Sequence, residues 1–166
     1  MNRRVFGSLL SGLVFAALCV ACRQEPAPLL NTYEEESLYE VPFEKRQGVR
    51  FVKVKVNGVE MEMLFDTGAS GVSLSLTEAI YLFKQGKLNP EDIEKRPAYS
   101  QIADGSIVEG MVINIRRLEL GEGLIAENVK AFVVGNMKAP LLLGNSAIED
   151  FGSFEIDDVD EVIRFN

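Results

Sequence analysis

The sequence contains no histidine. That single absence removes a Ser-His triad, a Cys-His pair and any imidazole-based zinc site. Cysteine is scarce as well: Cys19 and Cys22 both lie near the N-terminus, and the rest of the chain has no thiol. Beyond residue 22, therefore, neither a disulfide framework nor a catalytic cysteine is available. Basic residues number 17 against 25 acidic ones, and no long basic run occurs. With a formal net charge of −8 the chain does not read as a nucleic-acid binder. Nothing in the composition points to a metal or a cofactor.

What is present is apolar content, 47% over 166 residues. This is enough for one well-buried domain and too little for two comfortable ones. The only long apolar run lies at the start, from Val5 to Ala21, behind the positive pair Arg3 and Arg4. It reads as an export signal over residues 1–22. The stretch Leu18-Cys19-Val20-Ala21-Cys22 resembles the lipobox of bacterial lipoproteins, with Cys19 standing where leucine is usual. That resemblance implies acylation of Cys22 and a lipid-anchored protein of the bacterial cell envelope, facing the periplasm or exterior. Plain secretion and an uncleaved anchor are the other readings, although the apolar length falls short of a comfortable span. Residues 23–42 carry Pro26, Pro28 and the run Glu34-Glu35-Glu36, and read as a flexible acidic tether. The folded domain is expected over residues 43–166.

Within that domain the pattern is mainly β. From Val49, apolar residues alternate, with Val52, Val54 and Val56 on one face. Asn57-Gly58 then supplies a two-residue hairpin turn, which needs positive φ at both positions. The return strand places Glu60 and Glu62 outward and ends in Met63-Leu64-Phe65-Asp66-Thr67-Gly68-Ala69-Ser70. Residues 77–84 switch to helical spacing, Gly86 ends that helix, and Asn89-Pro90 opens a second short one. Strands resume near Tyr99. Asp104-Gly105 marks another hairpin turn, and a long strand runs from Val108 to Leu120. Its return strand is followed by Leu141-Leu142-Leu143-Gly144, a short helix and two closing strands.

A strand that delivers Asp66-Thr67-Gly68 from a hairpin resembles the start of each lobe in the retropepsin-like aspartic proteases. The later landmarks come in the order of that family: the hairpin at Asp104-Gly105, then an apolar run ending in Gly144, then a helix. The resemblance covers about residues 41–166 and implies a closed β-barrel lobe with a short helical insertion and one short C-terminal helix. It also implies the roles. Asp66 would be the catalytic carboxylate, and Thr67, Gly68, Ala69 and Ser70 would support its loop. Asp104 and Gly105 would form a flap over bound peptide, whose bland reading is an ordinary surface hairpin.

One chain holds one Asp-Thr-Gly and one lobe. The resemblance therefore implies a homodimer in which two Asp66 carboxylates share a proton and activate water against a peptide bond. Two other readings stand beside this endopeptidase. One is a non-catalytic envelope lipoprotein that captures extended peptides or proteins on the same fold. The other is a structural envelope lipoprotein in which Asp66-Thr67-Gly68 is only a turn with an Asx-type hydrogen bond.

Overall fold

Strand β2 (Val49–Val56) and strand β3 (Val59–Asp66) pair antiparallel across the turn that Asn57 and Gly58 make at φ 49° and 82°. The computed structural model describes residues 39–166 apart from Ala103 and Met137. The signal segment, Cys22 and the tether as far as residue 38 lie outside the described residues. Asn57 does more than turn the chain. Its side chain donates to the Lys87 carbonyl at 2.8 Å and accepts from the Arg117 amide at 3.0 Å, fastening the hairpin to two later segments.

A strand precedes this hairpin. β1 (Tyr39–Arg46) pairs with β2 through residues 43–46, so the tether expected to reach residue 42 gives way to the domain at Tyr39. The turn is Gln47-Gly48, with both φ values positive at 53° and 83°. Pro42 masks the strand in the sequence, since proline interrupts a sheet paired on both sides. Here residues 39–42 pair with only one neighbour, so the missing amide costs no ladder bond.

Strand β4 (Val72–Ser75) leads through the Ser75 N-cap into helix α1 (Leu76–Lys84), which buries Ala79 and Leu82. A 3-10 turn at Pro90–Asp92 follows, with Asp92 accepting the Asn89 amide at 2.8 Å. Arg116 reaches Asp92 at 3.0 Å and the Lys87 carbonyl at 3.0 Å, which ties this helical insertion to the barrel wall. Strand β5 (Ala98–Gln101) and the long β6 (Ile107–Leu120) form the expected second hairpin. β7 (Leu124–Val134) and the short β8 (Leu142–Gly144) complete the wall.

The sheet runs β6-β7-β4-β8-β3-β2 and closes because β2 also pairs with β6, Val54 opposite Leu120 and Val56 opposite Leu118. The result is a closed six-stranded barrel, mainly β, with helix α2 (Asn145–Asp150) behind β8. Inward positions alternate as the period of two requires: Val52, Val54 and Val56 from β2, and Ile113 and Ile115 from β6, are essentially solvent-free. Strands β9 (Phe154–Asp157) and β10 (Val162–Phe165) extend the sheet beyond β1. They bring Phe154 and Phe165 against Phe65 at centroid distances of 5.3 and 6.5 Å, both edge to face. Such pairs add to the area they bury and fix the end of β3 from below.

Arg164 on β10 organises the surface of this extension. It binds Asp157 at 2.7 Å, Glu40 at 2.9 Å and Asp160 at 3.1 Å. The Arg164 guanidinium, with the amides of Asp160 and Val159, holds the Asp157 carboxyl down from 3.8 to about 2. A carboxylate lowered by folding contributes stability above the unfolded value and loses it as pH falls through the folded one. The Asp157 contribution is therefore present above about pH 4 and disappears towards pH 2. Denaturant melts of wild type and Arg164→Gln at pH 5 and pH 2 check this. The difference between the two proteins should be clear at pH 5 and shrink at pH 2; an equal difference at both would contradict it.

Candidate active site

Asp66 is the last residue of β3, where the strand alternation changes what each face meets. Met63 and Phe65 point into the core, and Asp66 is half-buried at the barrel's end. Beyond it the chain turns tightly. The Gly68 amide donates to Asp66 Oδ1 at 2.9 Å, and the Ala69 amide donates to the Asp66 carbonyl at 3.2 Å. The other carboxylate oxygen, Oδ2, has no partner among the described residues. Thr67 and Gly68 are exposed.

The turn does not hold itself up. β8 lies between β3 and β4, parallel to β3, with Gly144 opposite Asp66 and Leu142 opposite both Leu64 and Ser73. From the start of α2, the Asn145 amide donates to the Ala69 carbonyl at 2.8 Å and the Ser146 amide to the Ser70 carbonyl at 3.2 Å. The approach at Gly144 is closer than any side chain allows. A Cβ there would lie 2.2 Å from the Gly71 carbonyl oxygen. The glycine that closes the apolar run is thus an excluded-volume requirement, and it packs under Gly71, three residues past the Asp-Thr-Gly glycine.

Opposite the loop stands the β5–β6 hairpin. Its turn is made by Gly105 at φ 86°, whose amide donates to the Ile102 carbonyl at 2.8 Å. Asp104 stabilises that turn from its own side chain, accepting the Ser106 hydroxyl at 2.6 Å and amide at 2.8 Å. Those donors hold the Asp104 carboxyl below the usual carboxylate range. Between hairpin and loop lies a groove of about 800 Å³. Asp66, Gly68, Ala69 and Ser70 line it from the loop, and Gly105 lines it from the hairpin. Thr67 and Asp104 do not line it: Thr67 stands exposed on the loop, and Oδ1 of Asp104 accepts both Ser106 donors within its own turn.

The far wall was not legible in advance. Phe132 and Val134 on β7, and Leu142 on β8, are half-buried residues that face the groove. The available signal was an outward position on β7 filled by an apolar residue. Lys130 takes the outward place in the alternation, and Phe132 and Val134 then follow where polar residues are the rule. Among the described residues no cluster of three or more acidic or thiol side chains gathers to hold a metal.

Residues 52–150 match the family described as "gag-polyprotein putative aspartyl protease". The chain belongs to that aspartyl protease family. The match runs from β2 to the end of α2, and so includes the Asp66 loop, the hairpin over it and the strand that ends in Gly144. The crystal structure of a retropepsin-like aspartic protease from Rickettsia conorii is similar to the chain at 22% identity. Its TM-score is 0.55, covering 77% of this chain and 91% of that one. The likeness establishes a retropepsin-like fold. No curated protein matches the chain. Family and fold together mark an aspartic-type peptidase.

The packing at Gly144 gives a direct check. Gly144→Ala should cost about 1–3 kcal/mol by overpacking. Gly135→Ala, where a Cβ would meet nothing within 4 Å, should stay within about 0.5 kcal/mol of wild type. Equal melting temperatures for Gly144→Ala and wild type would contradict the tight approach.

Proposed function

We propose that the protein is an aspartic endopeptidase whose active site is completed by a second copy of the chain, held at a membrane by lipid on Cys22. The observation that carries the reading is one Asp66, at the mouth of one open groove, with one carboxylate oxygen bonded by Gly68 and the other without a partner among the described residues. A hydrolytic dyad needs two such carboxylates, and a two-fold axis at the loop supplies the second. Thr67 fits this arrangement: it is exposed and does not line its own groove, which leaves its hydroxyl available for a bond across the axis.

Two carboxylates within hydrogen-bonding distance cannot both ionise readily, so the pair holds one proton. The ionised member takes a proton from a water lodged between them, and that water's oxygen attacks the peptide carbonyl carbon. The protonated member donates to the carbonyl oxygen as charge develops there. When the tetrahedral adduct collapses, the C–N bond breaks and the leaving nitrogen takes a proton from the carboxyl that received it. Substrate is extended peptide. β5 is the edge of the sheet, so its free backbone groups are open to pairing with an added strand.

The test uses detergent-solubilised full-length protein and an unfolded peptide library. Asp66→Asn should lower cleavage by a factor of at least about 10². Wild-type specific activity should fall on dilution as dimers separate. Cleavage that survives the substitution would exclude the mechanism, and intact binding of peptides without any cleavage would favour a capture module.

The anchor has its own test. Residues 1–22 carry the signal and the lipobox-like Leu18-Cys19-Val20-Ala21-Cys22. Removing the signal takes Arg3 and Arg4 from the 17 basic residues, leaving 15 against 25 acidic and a net charge of −10. A body so acidic gains nothing from anionic lipid, so the acyl chains must do the holding. Cys22→Ser should move the protein from the membrane fraction to the soluble fraction and abolish labelling by a fatty-acid probe. Unchanged labelling would contradict acylation at Cys22.

A further inference from the structure

The groove has a chemical asymmetry. Of all the described side chains lining it, only that of Asp66 ionises. Its far wall, made by Phe132, Val134 and Leu142, is apolar, while Ser70 and Ser73 lie on the loop side and Ser100, Gln101 and Ile102 on the hairpin side. A substrate side chain entering the apolar half therefore finds no counter-ion, and a buried charge without a partner is heavily disfavoured. Phe132 is the largest group on that wall.

Its position depends on Gly110. A Cβ at residue 110 would lie 2.6 Å from Phe132 Cζ and 3.0 Å from Cε1, and 2.3 Å from the Val133 carbonyl oxygen. Gly110 pairs with Val134 on one side and with Ala98 at the base of the hairpin on the other. The phenyl ring thus rests on a stretch of bare backbone where the hairpin leaves the barrel. Its φ is not in the left-handed region, so glycine is there for space and not for conformation.

We propose that Phe132, seated on the bare backbone of Gly110, is the specificity-determining residue of the groove, admitting an uncharged aliphatic side chain and excluding aromatic and charged ones. The selection rests on the peptidase reading only for the claim that the groove receives extended peptide. Size is set by the ring, which fills space that an incoming aromatic would need. Charge is excluded because Asp66 is committed to the reacting bond and no other ionisable side chain among the described residues lines the groove. Removing the ring opens the wall without touching the loop that carries Asp66.

The experiment measures both binding and cleavage by the full-length protein in detergent. The peptides differ at one position only, bearing Val, Leu, Phe, Trp, Lys or Glu. Fluorescence polarisation gives relative Kd values with Asp66→Asn protein, and cleavage rates come from protein with Asp66 intact. Each is repeated with Phe132→Ala and with the milder Phe132→Leu, after a thermal melt shows that the variant is folded. With Phe132 present, Val and Leu peptides should be preferred over Trp, Lys and Glu by about tenfold or more. Phe132→Ala should erase or reverse the preference over Trp while leaving Lys and Glu disfavoured, and Phe132→Leu should lie between. An unchanged profile in both folded variants, or no binding of any peptide, overturns the proposal. Binding that depends on Phe132 with no cleavage by wild type would uphold it and overturn the endopeptidase reading instead.

Discussion

The contact between Gly144 and Gly71 governs how the rest of the site is arranged. Two strands leave the Asp66 turn, β3 arriving and β4 departing, and neither pairs with the other. β8 lies between them and can do so only because its last residue has no side chain to meet the Gly71 carbonyl oxygen. Once β8 is in place, the amides at the start of α2 fall under the carbonyls of Ala69 and Ser70. The loop is then suspended from four directions: β3, β8, α2 and its own Asx-type bond from Gly68 to Asp66. A carboxylate held this way has little freedom left to lose, which is the condition the proposed catalytic role of Asp66 requires.

Support from below comes from another part of the chain. Phe65, one residue before Asp66, lies against Phe154 and Phe165 from the last two strands. The C-terminal hairpin also binds the start of the domain, since β10 pairs with β1 and Arg164 reaches Glu40. The two ends of the domain are therefore fixed to each other and, through Phe65, to the site. Opposite them the β5–β6 hairpin is built differently. Its turn is held by local bonds among Gln101, Asp104, Gly105 and Ser106. Locally closed hairpins of this kind can move as units while a barrel stays fixed.

Much of this was legible because local chemistry and global fold agree. Asn57-Gly58 demands a tight hairpin, the alternation of Val52, Val54 and Val56 picks the inner face, and Asp66-Thr67-Gly68 ends the return strand. The switch to helical spacing after residue 76 and the apolar run into Gly144 were equally plain. The features that escaped are those that depend on distant partners. Pro42 conceals β1, because its tolerance depends on which neighbour pairs at that residue. Asp104 looks from its position like a group aimed at substrate, yet its Oδ1 accepts the amide and hydroxyl of Ser106, two residues on, and its side chain does not line the groove. Phe132 reads as one more apolar residue of a strand, and only the space above Gly110 shows which way its ring lies.

The proposed active site is divided between two copies of the chain. Mixing subunits tests this most directly. Asp66→Asn protein, carrying a different affinity tag, is exchanged with wild type at a fixed total concentration. Recovery of both tags shows that mixed pairs have formed. If both copies must contribute an intact carboxylate, activity falls as the square of the wild-type fraction. A linear fall, in which every wild-type chain keeps its full activity whatever its neighbour, would contradict the divided site.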